Sequence, residues 1–234
     1  MGYDGVIVTI DGPAGAGKSS IAKQVASALG FDFLDTGAMY RAVTLAAIRA
    51  DVDWKDTRKL IAICRKADIE FRNHSIFLAG EDVSSLVRMP SVTDVIRYIA
   101  DIPEIREILT LKQQKYAVNR DIVTEGRDQG SEVFPEAECK IFLTASPDER
   151  ARRRQQQLIA TGRHVPFEDI LAKQNQRDLE DRLRPIGRLR PAQDAEVLAT
   201  DGLTPAQVLA KTLAIIRARR ESYGIDTVAR HSVP

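Results

Sequence analysis

The nine residues GPAGAGKSS at positions 12–20 constrain this chain more than any other stretch. They offer almost no side chain before Lys18, Ser19 and Ser20. They follow the β-branched run VIVTI at 6–10, which reads as a buried parallel strand. They open a segment of helical periodicity, with Ile21, Val25 and Leu29 on one face and Gly30 where a C-cap belongs. Gly12-x-x-x-x-Gly17-Lys18-Ser19 is the phosphate-loop pattern, in the strand–loop–helix setting that gives it meaning. A polyphosphate needs several hydrogen-bond donors on one concave surface. Backbone N–H groups supply them only where side chains stay clear, which accounts for Gly12, Pro13, Ala14, Gly15, Ala16 and Gly17. The three glycines are expected to provide close approach and positive φ. The following helix N-terminus adds about half a positive charge. Lys18 adds a whole one at the β- and γ-phosphates, and the Ser19 hydroxyl is the expected ligand for Mg²⁺. The loop points to a nucleoside triphosphate without saying what is done with it.

The rest of the chain reads as α/β. Short apolar strands are expected at 31–35, 121–126, 140–145 and 195–200, with helices between and after them, so the strand at 6–10 completes a five-stranded open parallel sheet with right-handed crossovers. Helices are expected at 38–50, 57–67 and 91–99, from Pro103 to about Asn119, and from Thr204-Pro205 to near Tyr223-Gly224. Around IEFRNHSIFLAGEDV the period changes to two, and Arg72-Asn73-His74 predicts the turn of an inserted hairpin. A length of 234 residues suits one sizeable domain, and a net charge of +1 gives no pull toward nucleic acid or an anionic membrane. No signal peptide or 18-residue apolar run is present, so a cytoplasmic protein is expected. Near-neutral charge and the lack of an exposed heptad pattern make a monomer the expectation. Cys64 and Cys139 lack ligand spacing and read as packing residues. His74 and His164 read as surface residues, and Trp54 as a packing residue.

Phosphate-loop proteins include GTPase switches, nucleotide sensors and phosphoryl transferases. The guanine-reading NKxD is absent; NQRD at 175–178 lacks the lysine. A transferase needs cations on both sides of the moving phosphoryl group. The chain supplies them. DTGAMYR puts Tyr40 and Arg41 in the first turns of a helix after a core strand, the ligand-binding edge of an open sheet. EGRDQG places Arg127 and Asp128 side by side after another strand. ERARRR sets Arg150 and Arg154 four apart, and RDLEDRLR sets Arg177, Asp181 and Arg184 on one helical face. Neighbouring aspartates suit the positioning of guanidiniums or the reading of ribose hydroxyls.

Taken together, TIDGPAGAGKSS, DTGAMYRA, GEDVSSLVR, IPEIRE, EGRDQG with VFPEAECKIFLTAS, ERARRR and RDLEDRLR resemble bacterial cytidylate kinases, which are nucleoside monophosphate kinases. The matching motifs run in order from about residue 6 to about 215. The resemblance implies transfer from ATP to CMP or dCMP, with the same core acting on UMP or dTMP as the alternative, and a non-catalytic nucleotide-binding regulator as the alternative outside enzymes. It implies one P-loop, three-layer domain over 1–224: a core (1–36, 104–146, 192–224), a monophosphate-binding insertion (about 37–103) and a mobile lid (about 147–190), then a tail at 225–234. It further implies that Gly12 to Ser20 hold ATP with Mg²⁺, and that Thr36, Tyr40, Arg41 and Arg127 meet the monophosphate. Arg106 and Asp128, helped by Arg184, would read the pyrimidine. Arg177 and Asp181 would meet the ribose, with Arg177 also near the phosphates. Arg150 and Arg154 look like lid arginines facing ATP. The catalytic cations would be Lys18, Arg127, Arg177 and Arg154.

Three departures stand out. Arg97 occupies the place of a usual serine, so one base contact is expected to be missing, replaced, or supplied by Ser91 or Thr93. Glu125 replaces a more usual aspartate before GRD. RPIGRLRP at 184–191 carries extra arginine.

Overall fold

The computed structural model describes residues 4–72 and 75–222. Among them, β1 (Ile7–Asp11), β2 (Asp32–Asp35), β6 (Ile122–Gly126), β7 (Cys139–Thr144) and β8 (Glu196–Ala199) form a parallel sheet in the order β2-β6-β1-β7-β8. The expected five-stranded α/β architecture is present. Period-two alternation assigns each strand residue to a layer. Ile7, Leu34 and Ile122 pack with α2 (Thr36–Arg49), α3 (Thr57–Lys66) and α6 (Pro103–Ala117). Val8, Ile10, Val123, Ile141 and Leu143 face the other way, toward α1 (Lys18–Leu29) and α9 (Pro205–Ser222). A third, small core holds α7 (Pro147–Ala160) and α8 (Phe167–Leu183) together through Ala151, Leu158 and Ile170.

Between α3 and α6 the chain departs in detail from the expected hairpin and helix. β3 (Ile69–Arg72) and β4 (Ser75–Leu78) pair antiparallel as expected, and a third strand, β5 (Glu81–Asp82), joins β4. The single helix expected at 91–99 is two short ones, α4 (Pro90–Thr93) and α5 (Arg97–Ala100). The β-branched residues Val92, Thr93, Val95 and Ile96 lose χ1 freedom in a continuous helix, and the break falls among them. Both cysteines are buried and free, and burial pushes their thiols up to about 11 for Cys64 and about 12 for Cys139, consistent with inert packing. His164 is exposed, and Trp54 is half-buried, stacked on Tyr98 with ring centroids 5.4 Å apart. Asn73, His74, the end of the last helix at Tyr223-Gly224 and the tail lie outside the described residues. No helix among the described residues is long and apolar enough to cross a membrane.

Candidate active site

Parallel strands deliver their carboxyl ends to one edge. The register aligns Asp11 of β1 with Gly126 of β6, and Asp35 of β2 with Glu125. The loops that follow these strands therefore meet at that edge.

The glycine loop leaves β1 with Gly12 at φ 147, lying so close to β7 that a Cβ would run into the Leu143 carbonyl oxygen. Only glycine fits both the dihedral and the gap. The α1 helix starts from Gly17 without a side-chain cap, so its first amides stay open to a ligand. Lys18 is 5% exposed and donates to the Pro13 carbonyl at 2.9 Å, curling over the loop. Burial, then the Arg127 charge, lowers its pKa to about 7. Asp11 moves the opposite way, to about 7, because burial outweighs the Gly130 and Gln129 amides that it accepts at 2.8 and 2.9 Å. Those two amides are drawn to Asp11, and the chain from Gln129 to Val133 winds as a π-helical turn with Phe134 N–H donating to the Gln129 carbonyl at 2.7 Å. The Ser19 hydroxyl donates to Glu125 at 2.8 Å, so the longer side chain reaches the loop. Ser20 is exposed and accepts from Gln24 at 3.1 Å.

A second cluster lies beside the loop. Thr36 opens α2 and donates to the Glu125 carbonyl at 2.6 Å. Asp35 caps the same helix by accepting from the Ala38 amide at 2.7 Å, and holds Arg41 at 3.4 Å and Arg88 at 3.2 Å. Arg127 donates to Asp181 at 2.9 Å, and Arg184 pairs with the other Asp181 oxygen at 2.7 Å. Burial alone would raise the Asp181 carboxyl; Arg127, Arg184 and Arg177 outweigh it and hold it below its usual range. Arg177 has no ion pair within 4 Å among the described residues. Its pKa is lowered, by desolvation first and then by Arg127, with Arg184 and Arg41 adding to the effect. Arg127 and Arg177 thus both disfavour the Lys18 charge, and Arg127 disfavours that of Arg177.

Farther from the loop, Arg106 is buried at the start of α6. It pairs with Asp128, donates to the Ala100 carbonyl at 3.2 Å and lies 5.3 Å from the Tyr40 ring centroid. Its Nε has no partner. Gly187, at φ 74, packs directly on this guanidinium, leaving no room for a Cβ. Glu132 accepts from the Gly187 amide at 2.7 Å and so holds the RPIGRLRP segment in place. Burial pushes the Tyr40 hydroxyl well above its usual range.

The structure separates the two α7 arginines that the spacing put on one face. Arg150 is buried, and Arg154 is exposed with only Gln157 at 3.5 Å. Arg97 pairs with Glu180 at 3.5 Å, Ser91 is exposed, and Thr93 donates to the Pro90 carbonyl at 3.4 Å. Asp11, Asp35, Arg88 and Asp178 had no role in the sequence reading. Asp35 and Arg88 sit inside the DTGAMYRA and GEDVSSLVR motifs, so the motif edges were the available signal.

A family model described as cytidylate kinase matches residues 8–218. The chain belongs to the cytidylate kinase family. A cytidylate kinase of Rhodopirellula baltica is 58% identical over 91% of this chain and 93% of that protein. One from Caldanaerobacter subterraneus subsp. tengcongensis is 42% identical over 91% of this chain and 95% of its own length. A crystal structure of an uncharacterized protein from Eubacterium ventriosum shares the fold at TM-score 0.51 and 12% identity, covering 91% of this chain and 98% of that one.

Proposed function

We propose that this chain transfers the γ-phosphoryl group of ATP to CMP or dCMP, giving ADP and CDP or dCDP. The observation that carries this is the nearness of Lys18, Arg127 and Arg177 between the glycine loop and the arginine cluster: both arginines disfavour the Lys18 charge, Arg127 disfavours that of Arg177, and Arg177 has no ion-pair partner among the described residues. Such a junction is stabilised by an anion with charge on several oxygens, which describes a phosphoryl group in flight.

In this reading Gly12 to Gly17 receive the ATP phosphates on backbone amides, and Lys18 spans the β- and γ-positions. Arg41, Arg88 and Arg127 hold the acceptor phosphate. One of its oxygens attacks the γ-phosphorus in line, and the bond to the β-bridging oxygen breaks. The attacking phosphate oxygen is already anionic, so no general base is required, and the bridging oxygen leaves as part of ADP. Oxygen donors suit Mg²⁺, and the Ser19 hydroxyl with the Glu125 carboxylate beside it fits an ion that takes its remaining ligands from phosphate and water. When bound, Mg²⁺ would neutralise charge on the β- and γ-oxygens. Asp181 meets the ribose in this reading. The α7–α8 unit, with its own small core, serves as the lid, and Arg154 is the exposed α7 cation available when it closes.

Arg106 and Asp128 explain the choice of base. Cytosine offers an amino donor at N4 and acceptors at N3 and O2, matching a carboxylate and a guanidinium. Uracil would set a carbonyl against Asp128, at a cost of about 1–3 kcal/mol. Rates of ADP formation with CMP, dCMP, UMP, AMP and dTMP test the assignment. CMP and dCMP are expected to lead, with UMP behind by roughly tenfold or more. Equal rates with UMP would contradict the base assignment, and ATP binding without acceptor-dependent turnover would contradict the enzyme. Asp128→Ala is expected to narrow the CMP-to-UMP ratio; an unchanged ratio would place base reading elsewhere.

A further inference from the structure

One buried ion pair touches the glycine loop from the α7–α8 unit. Arg150 of α7 and Asp178 of α8 pair at 2.7 Å, both side chains almost wholly buried. The same guanidinium donates to the carbonyl of Ala14 in the loop at 2.9 Å and to that of Ala145, just past β7, at 3.1 Å. Gln174, one turn before Asp178 on α8, donates to the Arg150 carbonyl at 3.3 Å. Gly15 lies so near that a Cβ there would come within 3.1 Å of the Gln174 amide nitrogen and 3.2 Å of the Arg150 Cβ. Positions 174 and 178 share a helical face. That face of α8 therefore rests on the glycine loop through a single guanidinium. The other oxygen of Asp178 is buried without a hydrogen-bond partner among the described residues, so Arg150 is its direct ion-pair partner, while its charge also reaches Arg127.

The acceptor end of α8 has separate anchors. Asp181 is held by Arg127, and Arg184 by Asp101 at 2.7 Å. Loosening the Asp178 contact leaves those in place.

We propose that Asp178 is a positioning residue for the donor nucleotide. It fixes Arg150 so that its guanidinium orders the Ala14 carbonyl, and with it the curvature of the phosphate-binding loop, through direct contacts that the acceptor-site arginines do not share. The proposal rests on the assignment of the glycine loop to ATP and adds a residue that acts on the loop from the far side of α7.

Steady-state kinetics of Asp178→Asn, Arg150→Lys and the double variant test it. Asparagine keeps the shape of Asp178 and removes its charge. Lysine keeps the buried pair compensated but lacks the fork that reaches two carbonyls, so it remains informative if Asp178→Asn does not fold. Each single variant is expected to raise KM for ATP on the order of tenfold or more, by misplacing the loop, while KM for CMP stays within about twofold of wild type. The double variant is expected to be no worse than Arg150→Lys, because Asp178 acts through Arg150. Equal rises in both KM values, additive losses, or an unchanged KM for ATP would overturn the proposal. Lys18→Ala in the same assay separates the two ideas. Full turnover there would overturn the ATP assignment itself, whereas lost turnover with an unchanged KM for ATP in Asp178→Asn and Arg150→Lys would overturn only the role of Asp178.

Discussion

Lys18 is buried where its charge is disfavoured, by desolvation first and by Arg127 next. A residue kept under those conditions contributes to charge stabilisation rather than to the core. Lys18→Ala is therefore expected to lower kcat by roughly 10²–10³-fold with no loss of folded signal in circular dichroism; an unfolded variant or one with full turnover would contradict this. The sign of the shift gives a second outcome. With a pKa lowered to about 7, much of Lys18 is neutral in the free enzyme at pH 8, and a bound polyphosphate restores its charge. ATP binding at pH 8 is expected to take up about one proton, read from calorimetry in buffers of different ionisation enthalpy. Binding with no proton uptake would contradict it. At this scale the sequence was informative where a motif put a charged residue at a strand end or on one helical face: the structure pairs Arg127 with Asp181 and brings the Arg127 and Arg177 charges near Lys18. It was silent on Asp178 and Arg88, whose partners lie far away in the chain. The Arg150–Asp178 and Arg88–Asp35 contacts are made only by the folded arrangement.

Among the elements, the loop from β1 to α1 is the least tolerant of change. Gly12→Ala meets both an unfavourable φ and the Leu143 carbonyl. It is expected to cost about 1–3 kcal/mol, or roughly 2–4 °C in Tm per kcal/mol for a chain of this size. It should also weaken ATP binding, and a variant with wild-type Tm and ATP affinity would argue against the close approach. The core strands were legible because apolar β-branched runs bounded by loops have few other uses. β5 was not, since the two carboxylate residues Glu81 and Asp82 carry no strand signal and pair only because β4 offers an edge. The π-helical turn after β6 was equally hidden, because it depends on Asp11 drawing the Gln129 and Gly130 amides across from another strand.

At the scale of the whole molecule, one carboxyl edge gathers the loops that follow β1, β2 and β6. The segment between α2 and α6 touches α8 through Arg97–Glu180 and Arg184–Asp101, at 3.5 and 2.7 Å. Both ends of the first pair reach solvent. Exposed ion pairs contribute about 0–1 kcal/mol and are screened by salt. Arg97→Ala is accordingly expected to change the urea unfolding free energy by less than about 1 kcal/mol; a larger loss would make this contact a structural brace. The parallel sheet and its ligand edge could be read from strand–helix alternation alone, whereas contacts between α8 and α5 needed the folded chain. The central claim is that donor and acceptor phosphates meet end to end at Lys18, Arg127 and Arg177. The affinity of one molecule joining adenosine to cytidine through five phosphates tests it most directly. It is expected to bind at least about 10²-fold more tightly than ATP or CMP alone, and to lose that advantage in Arg177→Ala. Affinity no greater than that of ATP, or an advantage untouched by Arg177→Ala, would contradict the account.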